Sequence, residues 1–273
     1  MYCKTVGQDK WQTIANEQDR FVAEKKLESW LVKPTDGIFA RMNRKVSIPI
    51  SRQLIKFPIT PNMVSLFTLG VSFASGLYFG LGGYWNALIG AVLSVWASIL
   101  DGCDGEVARL KLQVSDFGCW LDTICDYLYY IFIFVGMTVG LVRSTGKTSY
   151  VTWGGLLLVG AIATFVMASI GRKRLSGQRP ERYLAEWQKK AESQKSNPLA
   201  YIGRHLEFII RRCFLPYALL AFALFNLTWI PICVGAVGAN LAWIISAYSV
   251  ITFSPKERNP STLSASSAAA ESL

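Results

Sequence analysis

The 273-residue sequence is short of charge: Asp, Glu, Lys and Arg make up 17% of it, against about 25% in soluble chains. It therefore lacks roughly a third of the solvating side chains that a soluble fold of this length would carry. It has one histidine, His205, and no CxxC pair among its six cysteines, Cys3, Cys103, Cys119, Cys125, Cys213 and Cys233. Those absences argue against a zinc site or a disulfide framework, and the cysteines read as buried thiols. No basic, apolar leader opens the chain, because Met1 to Asp36 is polar and mixed in charge, so no cleavable signal peptide is expected. Disordered and fibrous classes are excluded by 52% hydrophobic and 13% aromatic residues without a strict repeat. The scarcest commodity is acid. Between residues 37 and 180 the acidic residues are Asp101, Asp104, Glu106, Asp116, Asp122 and Asp126, all in one short window.

What is present in quantity is apolar sequence and positive charge. Mean hydropathy is +0.31, and the net charge is +10. Basic chains include nucleic-acid binders, but here the bases flank long apolar runs. That pattern orients a membrane protein and contacts anionic lipid, so membrane rather than nucleic acid is the expected partner.

A spanning helix needs about 20 mostly apolar residues. Six segments qualify: Pro61–Leu81, Tyr84–Ala108, Phe117–Val142, Tyr150–Ile170, the shorter Cys213–Leu227 with Pro216, and Ile230–Thr252. The expected fold is an all-α integral membrane bundle of six transmembrane helices over residues 58–253. Before it, residues 37–57 mix Ile38, Phe39, Met42, Val46, Ile48 and Ile55 with five bases. This suits an interfacial amphipathic helix, broken at Pro49. Residues 1–36 read as a polar cytoplasmic segment, Arg172–Gln194 as a cytoplasmic loop, and 254–273 as a disordered tail. Arg41, Arg44, Lys45, Arg52 and Lys56 precede the first span, and Arg172, Lys173 and Arg174 follow the fourth. The positive-inside rule then places both termini and the acids in the cytoplasm.

Residues 101–126 read DGCDGEVARLKLQVSDFGCWLDTICD. Asp101 and Asp104 are spaced i, i+3 and share one helical face; Asp122 and Asp126 are spaced i, i+4 and share another. The short connection Leu110–Ser115 makes the two helices antiparallel neighbours, so four carboxylates converge at the membrane boundary. Left alone they would repel and be poorly solvated. Only Arg109 and Lys111 are basic and near in sequence, too few to neutralise them. One or two divalent cations resolve this, and an all-oxygen donor set favours Mg2+, Mn2+ or Ca2+. Gly102, Gly105 and Gly118, with Ala108, are expected to clear space between the acid faces, either for close helix packing or for a ligand. Asp116 is expected to cap the third helix. A cation transporter or channel would also hold acids in the membrane. Transport paths, however, place them near mid-bilayer on broken helices, whereas these lie at helix ends.

The run Asp101-x2-Asp104-Gly105-x2-Ala108-Arg109-x8-Gly118-x3-Asp122-x3-Asp126 resembles the full signature of the CDP-alcohol phosphotransferase (CDP-alcohol phosphatidyltransferase) family, at all eight fixed positions. At about one-in-twenty usage per residue, a chance match is on the order of 10^-8 to 10^-7. The resemblance extends from roughly Lys33 to Phe253. It implies transfer of a substituted phosphoryl group from a CDP-linked alcohol donor to an acceptor hydroxyl, with release of CMP. It implies that Asp101, Asp104, Asp122 and Asp126 hold two Mg2+ or Mn2+ ions, and that Asp126 is also the general base. Gly105, Ala108, Arg109 and Gly118 would line the nucleotide site, with Asn62 of Thr60-Pro61-Asn62 near the diphosphate. A homodimer in a bacterial or archaeal cell membrane, with the site on the cytoplasmic side, is implied as well.

The stretch LVKPTDGIFARMNRKVSIPISRQLI…ITPN is most similar to the di-myo-inositol phosphate phosphate synthase branch, which joins CDP-inositol to inositol phosphate. That branch often carries a soluble nucleotidyltransferase domain upstream; the first 36 residues have no glycine-rich nucleotide loop, which leaves open a separate enzyme for that step, a shortened chain, or a different substrate. A phospholipid synthase using CDP-diacylglycerol is the rival reading. A phosphorylated acceptor needs cations, and the candidates are Arg172, Lys173, Arg174, Arg211 and Arg212. For the first three, orientation or lipid contact is the plainer reading. His205 is expected to be interfacial rather than catalytic.

Overall fold

A computed structural model describes residues 16–32, 37–175 and 213–252. Among these, every regular element is a helix: α1 (Glu17–Leu31), α2 (Ile38–Leu54), α3 (Pro61–Leu81), α4 (Tyr84–Leu110), α5 (Asp116–Thr145), α6 (Ser149–Leu175), α7 (Phe214–Leu224) and α8 (Trp229–Thr252). Four contain stretches long and apolar enough to cross a bilayer: α3, α4, α5 and Ser149–Met167 of α6. The α7 helix and the Trp229–Ile244 part of α8 are apolar but shorter. Among the described residues, four of the six expected spans therefore reach spanning length, and the protein is an integral membrane protein.

The ends of the helices follow local chemistry. Thr60 precedes α3 with Pro61 in its first turn, where the missing N–H costs nothing. The α4 helix closes in a Schellman turn: Leu112 adopts φ +55°, its N–H donates to Arg109 O, and Gln113 N–H donates to Ala108 O. Ser115 caps α5 by accepting from Gly118 N–H at 3.0 Å. Asp116 is not the cap; it occupies the first turn, where its charge opposes the positive end of the helix dipole. Upstream, α1 is capped by the Asn16 side chain, and one expectation changes. The α2 helix runs through Pro49 without breaking; Pro49 lies on its exposed side.

The loop between α4 and α5 does make them antiparallel, as the Ser94–Tyr129 hydroxyl pair at 2.6 Å and the carboxylates of residues 101 and 126 attest. Their main packing, however, is against α3 rather than against each other. The α3–α5 contact is close because glycines meet there. A β-carbon at Gly76 would lie 2.5 Å from Phe132 O, and one at Gly136 would strike the backbone of Gly76. The α2 and α7 helices flank α4, and α6 and α8 pair on the α5 side.

The interior is divided by polarity. Phe79, Ala91, Ile133, Met137, Leu141, Leu219 and Ile232 belong to a core of buried apolar side chains. The buried face of α3 instead reads Ser65, Thr68, Ser72 and Ser75, and that of α2 reads Asn43, Ser47 and Ser51. Exposed large apolar side chains line the outsides of α3 to α6, including Leu66, Phe73, Val92, Trp96, Leu156 and Val159. An apolar exterior over a partly polar interior suits a bundle whose surroundings are lipid.

Candidate metal centre

The α4 and α5 helices deliver their acids to one end of α3. Carboxylate oxygens of Asp101, Asp122 and Asp126 all lie within 4.8 Å of one another, each side chain being half-buried. Asp104, the fourth acid of the motif, is buried and held differently. Its Oδ2 accepts from Ser65 Oγ of α3, and its Oδ1 from the Gly105 amide. Oxygens on opposite sides of a hard cation lie about 4 to 5 Å apart, twice a metal–oxygen distance of about 2.1 to 2.5 Å. Three carboxylates at this spacing, with no nitrogen or sulfur among them, fit Mg2+, Mn2+ or Ca2+.

Around the acids, the other expected residues fall into place unevenly. A β-carbon on Gly118 would lie 3.4 Å from Asn62 Oδ1, so the starts of α3 and α5 meet at these two residues. Arg109 turns back on its own helix, Nε donating to Gly105 O at 3.0 Å. Ala108 is half-buried in the turn above. Lys111 does not serve the acids as a counter-charge. Its ammonium donates to the carbonyls of Phe57 and Ile59 at 2.7 Å each, stapling the loop after α4 to the segment before α3. Gly102 does not clear space between the acid faces; it faces Ser47 and Arg44 of α2.

One acid of the window, Glu106, has no role in the motif, yet it is fully buried. Arg44 of α2 forms a salt bridge with its Oε1, Ser47 Oγ donates to the same oxygen at 2.7 Å, and Ser51 Oγ donates to Oε2 at 2.7 Å. The sequence signal was available: Arg44, Ser47 and Ser51 are spaced i, i+3, i+7 on the face opposite Ile38, Met42 and Val46. Next along, Asn43 donates to Ser98 Oγ and O, and Tyr217 of α7 donates to Asn43 Oδ1 at 2.6 Å. The backbone of Arg172, Lys173 and Arg174 lies in the end of α6. Arg211, Arg212 and His205 lie outside the described residues.

Apolar helices bearing grouped carboxylates at one end define a membrane protein with a candidate cation centre. The sequence profile of the CDP-alcohol phosphatidyltransferase family matches residues 58–252, and the chain belongs to that family. It is 36% identical over 135 residues to a bifunctional IPC transferase and DIPP synthase of Aquifex aeolicus, covering 48% of this chain and 30% of that one. A protein of the same description from Archaeoglobus fulgidus is 30% identical over 168 residues, 61% of this chain and 33% of the relative. A phosphatidylinositol phosphate synthase of Corynebacterium glutamicum is 29% identical over 116 residues, 40% of this chain and 49% of the relative. The chain thus spans about a third of the length of the first two relatives.

Proposed function

We propose that the chain transfers a substituted phosphoryl group from a CDP-linked alcohol to an acceptor hydroxyl and releases CMP. The observation that carries this reading is the convergence of Asp101, Asp122 and Asp126 in a chain of this family. The acceptor oxygen forms a bond to the phosphorus that bears the donor's alcohol. The bridging P–O bond breaks, and CMP leaves with the bridging oxygen. Asp126 takes the acceptor's proton, which a carboxylate within hydrogen-bond reach can do as the bond forms. Asp101, Asp104, Asp122 and Asp126 would hold two divalent ions, Mg2+ or Mn2+. Such ions would neutralise charge on the diphosphate and make CMP a better leaving group.

The nucleotide end is assigned to Asn62, Gly105, Ala108, Arg109 and Gly118. The meeting of Asn62 with Gly118 supports this, because two helix N-termini there favour an anionic diphosphate. For the substrates we favour CDP-inositol with inositol phosphate, on the likeness to relatives described as DIPP synthases. The second reading, CDP-diacylglycerol as donor in a phospholipid synthase, is favoured by the likeness to a phosphatidylinositol phosphate synthase. An anionic acceptor would be met by Arg172, Lys173, Arg174, Arg211 and Arg212.

The remaining proposals concern setting. Six spans arise if α7 and α8 cross alongside the four longer helices. The α2 helix is interfacial, with Ile38, Met42 and Val46 exposed toward lipid, and residues 1–36 and 254–273 lie outside the catalytic domain. The termini and the centre face the cytoplasm of a bacterial or archaeal cell; the chain forms a homodimer and takes its donor from a separate nucleotidyltransferase. CMP release by the purified chain tests the core of this. CDP-inositol or CDP-diacylglycerol is offered with inositol phosphate, glycerol phosphate, inositol or serine. CMP from CDP-inositol with inositol phosphate is expected, and none from any pair would return the transporter reading.

A further inference from the structure

Glu106 is the most completely buried charged side chain among the described residues, and the proposed chemistry does not use it. Its carboxylate faces α2, whereas Asp104, half a turn earlier on the same helix, faces Ser65 of α3. All three of its partners come from successive turns of α2: Arg44, Ser47 and Ser51, the two serines themselves fully buried. The grip continues along α4. Arg44 Nη1 also donates to Gly102 O at 3.4 Å, Cys103 Sγ lies 3.6 Å from Ser47 O, and the Asn43 amide holds Ser98. The segment of α4 from residue 98 to 106 is therefore held from one side by polar bonds, and Asp101 and Asp104 project from that same segment.

Stability alone does not call for this arrangement. A buried ion pair replaced by apolar residues of similar volume is often neutral or stabilising. What directional bonds add is a single rotation and register of one helix on another. Rotation matters here, because side-chain ends lie about 5–6 Å from a helix axis, so a turn of about 20° moves them about 2 Å. Functional constellations tolerate about 0.5 Å.

We infer that Glu106 is a positioning residue for the carboxylate centre: clamped by Arg44, Ser47 and Ser51, it sets the rotation of α4 and so where Asp101 and Asp104 aim. The inference rests on the metal reading above. The test uses the full chain in lipid nanodiscs, with Mn2+ binding followed by electron paramagnetic resonance, thermal unfolding followed in parallel, and CMP release. Glu106→Gln and the double variant R44M/E106M are expected to unfold near the wild-type temperature, yet to bind Mn2+ about tenfold more weakly. Raised Mn2+ is expected to restore part of their CMP release. A folded R44M/E106M with wild-type Mn2+ affinity would show that the clamp merely joins two helices, and would overturn the inference. Should Glu106→Gln unfold, leaving Arg44 uncompensated, Ser51→Ala decides. Weaker Mn2+ binding at an unchanged unfolding temperature supports the inference, and unchanged binding overturns it. A wild-type chain that binds no Mn2+ overturns the metal reading and this inference with it. Wild type and variants that bind equally overturn this inference alone.

Discussion

Ser65 donates its hydroxyl hydrogen to Asp104 Oδ2 at 2.5 Å, so the first long helix holds a carboxylate of the second. Hydrogen bonds to a charged group are worth about 1.5–3 kcal/mol. Ser65→Ala is therefore expected to lower CMP release about tenfold or more, with Ser65→Thr retaining most of it. Equal rates in the alanine variant and the wild type would remove Ser65 from the working set.

Asp126→Asn keeps the shape of the side chain and removes its capacity to accept a proton. CMP release should fall to background while binding of the CDP-linked donor, read by calorimetry, changes little. Undiminished turnover would reassign the base to another carboxylate of the centre.

Asp101→Ala and Asp122→Ala each take one oxygen donor from the group of three. Activity and its divalent-cation dependence should disappear together in either variant, by a factor of about a hundred or more. The measurement is a Mg2+ and Mn2+ titration of the initial rate. Residual activity that still responds to metal with wild-type affinity would argue against ligation at the altered position.

Close approach of α3 and α5 makes Gly76 intolerant of a side chain, since a β-carbon there would sit 2.5 Å from Phe132 O. Gly76→Ala should lower the thermal midpoint, with a cost of about 1–3 kcal/mol from overpacking. A β-carbon at Gly70, on the same helix, would meet nothing within 4 Å. Gly70→Ala should be neutral or stabilising by about 0.5–1 kcal/mol. If both changes behave alike, packing does not explain the glycine at 76.

Much of this was readable from local spacing. Pro61–Leu81 has the bounds that hydrophobicity and the Thr60-Pro61 start indicate. The i, i+4 spacing puts Asp122 and Asp126 on one face of α5, where both meet Asp101 of α4, because helical periodicity is a short-range property; Asp104, at i+3 from Asp101, instead accepts from Ser65. Long-range partners were not readable that way. The bases nearest the acids in sequence are Arg109 and Lys111, but Lys111 binds backbone carbonyls, and the counter-charge of Glu106 is Arg44, 62 positions away. The short α4–α5 loop indicated direction but not neighbours: α3 takes the contact, which spacing within the loop cannot reveal. Pro49 illustrates a local rule overridden. Pro49 lies on the exposed side of α2 and the helix runs through it, while Ser47 and Ser51 on the other side bond to Glu106.

The clamp between α2 and α4 also sets a lower limit on the minimal catalytic unit. A fragment beginning at Pro61 would contain Asn62 and every acid of the signature, and by motif alone would look complete. It would nevertheless leave the buried Glu106 carboxyl with its cation and both serines removed, and truncation should fail there even though no signature residue is lost.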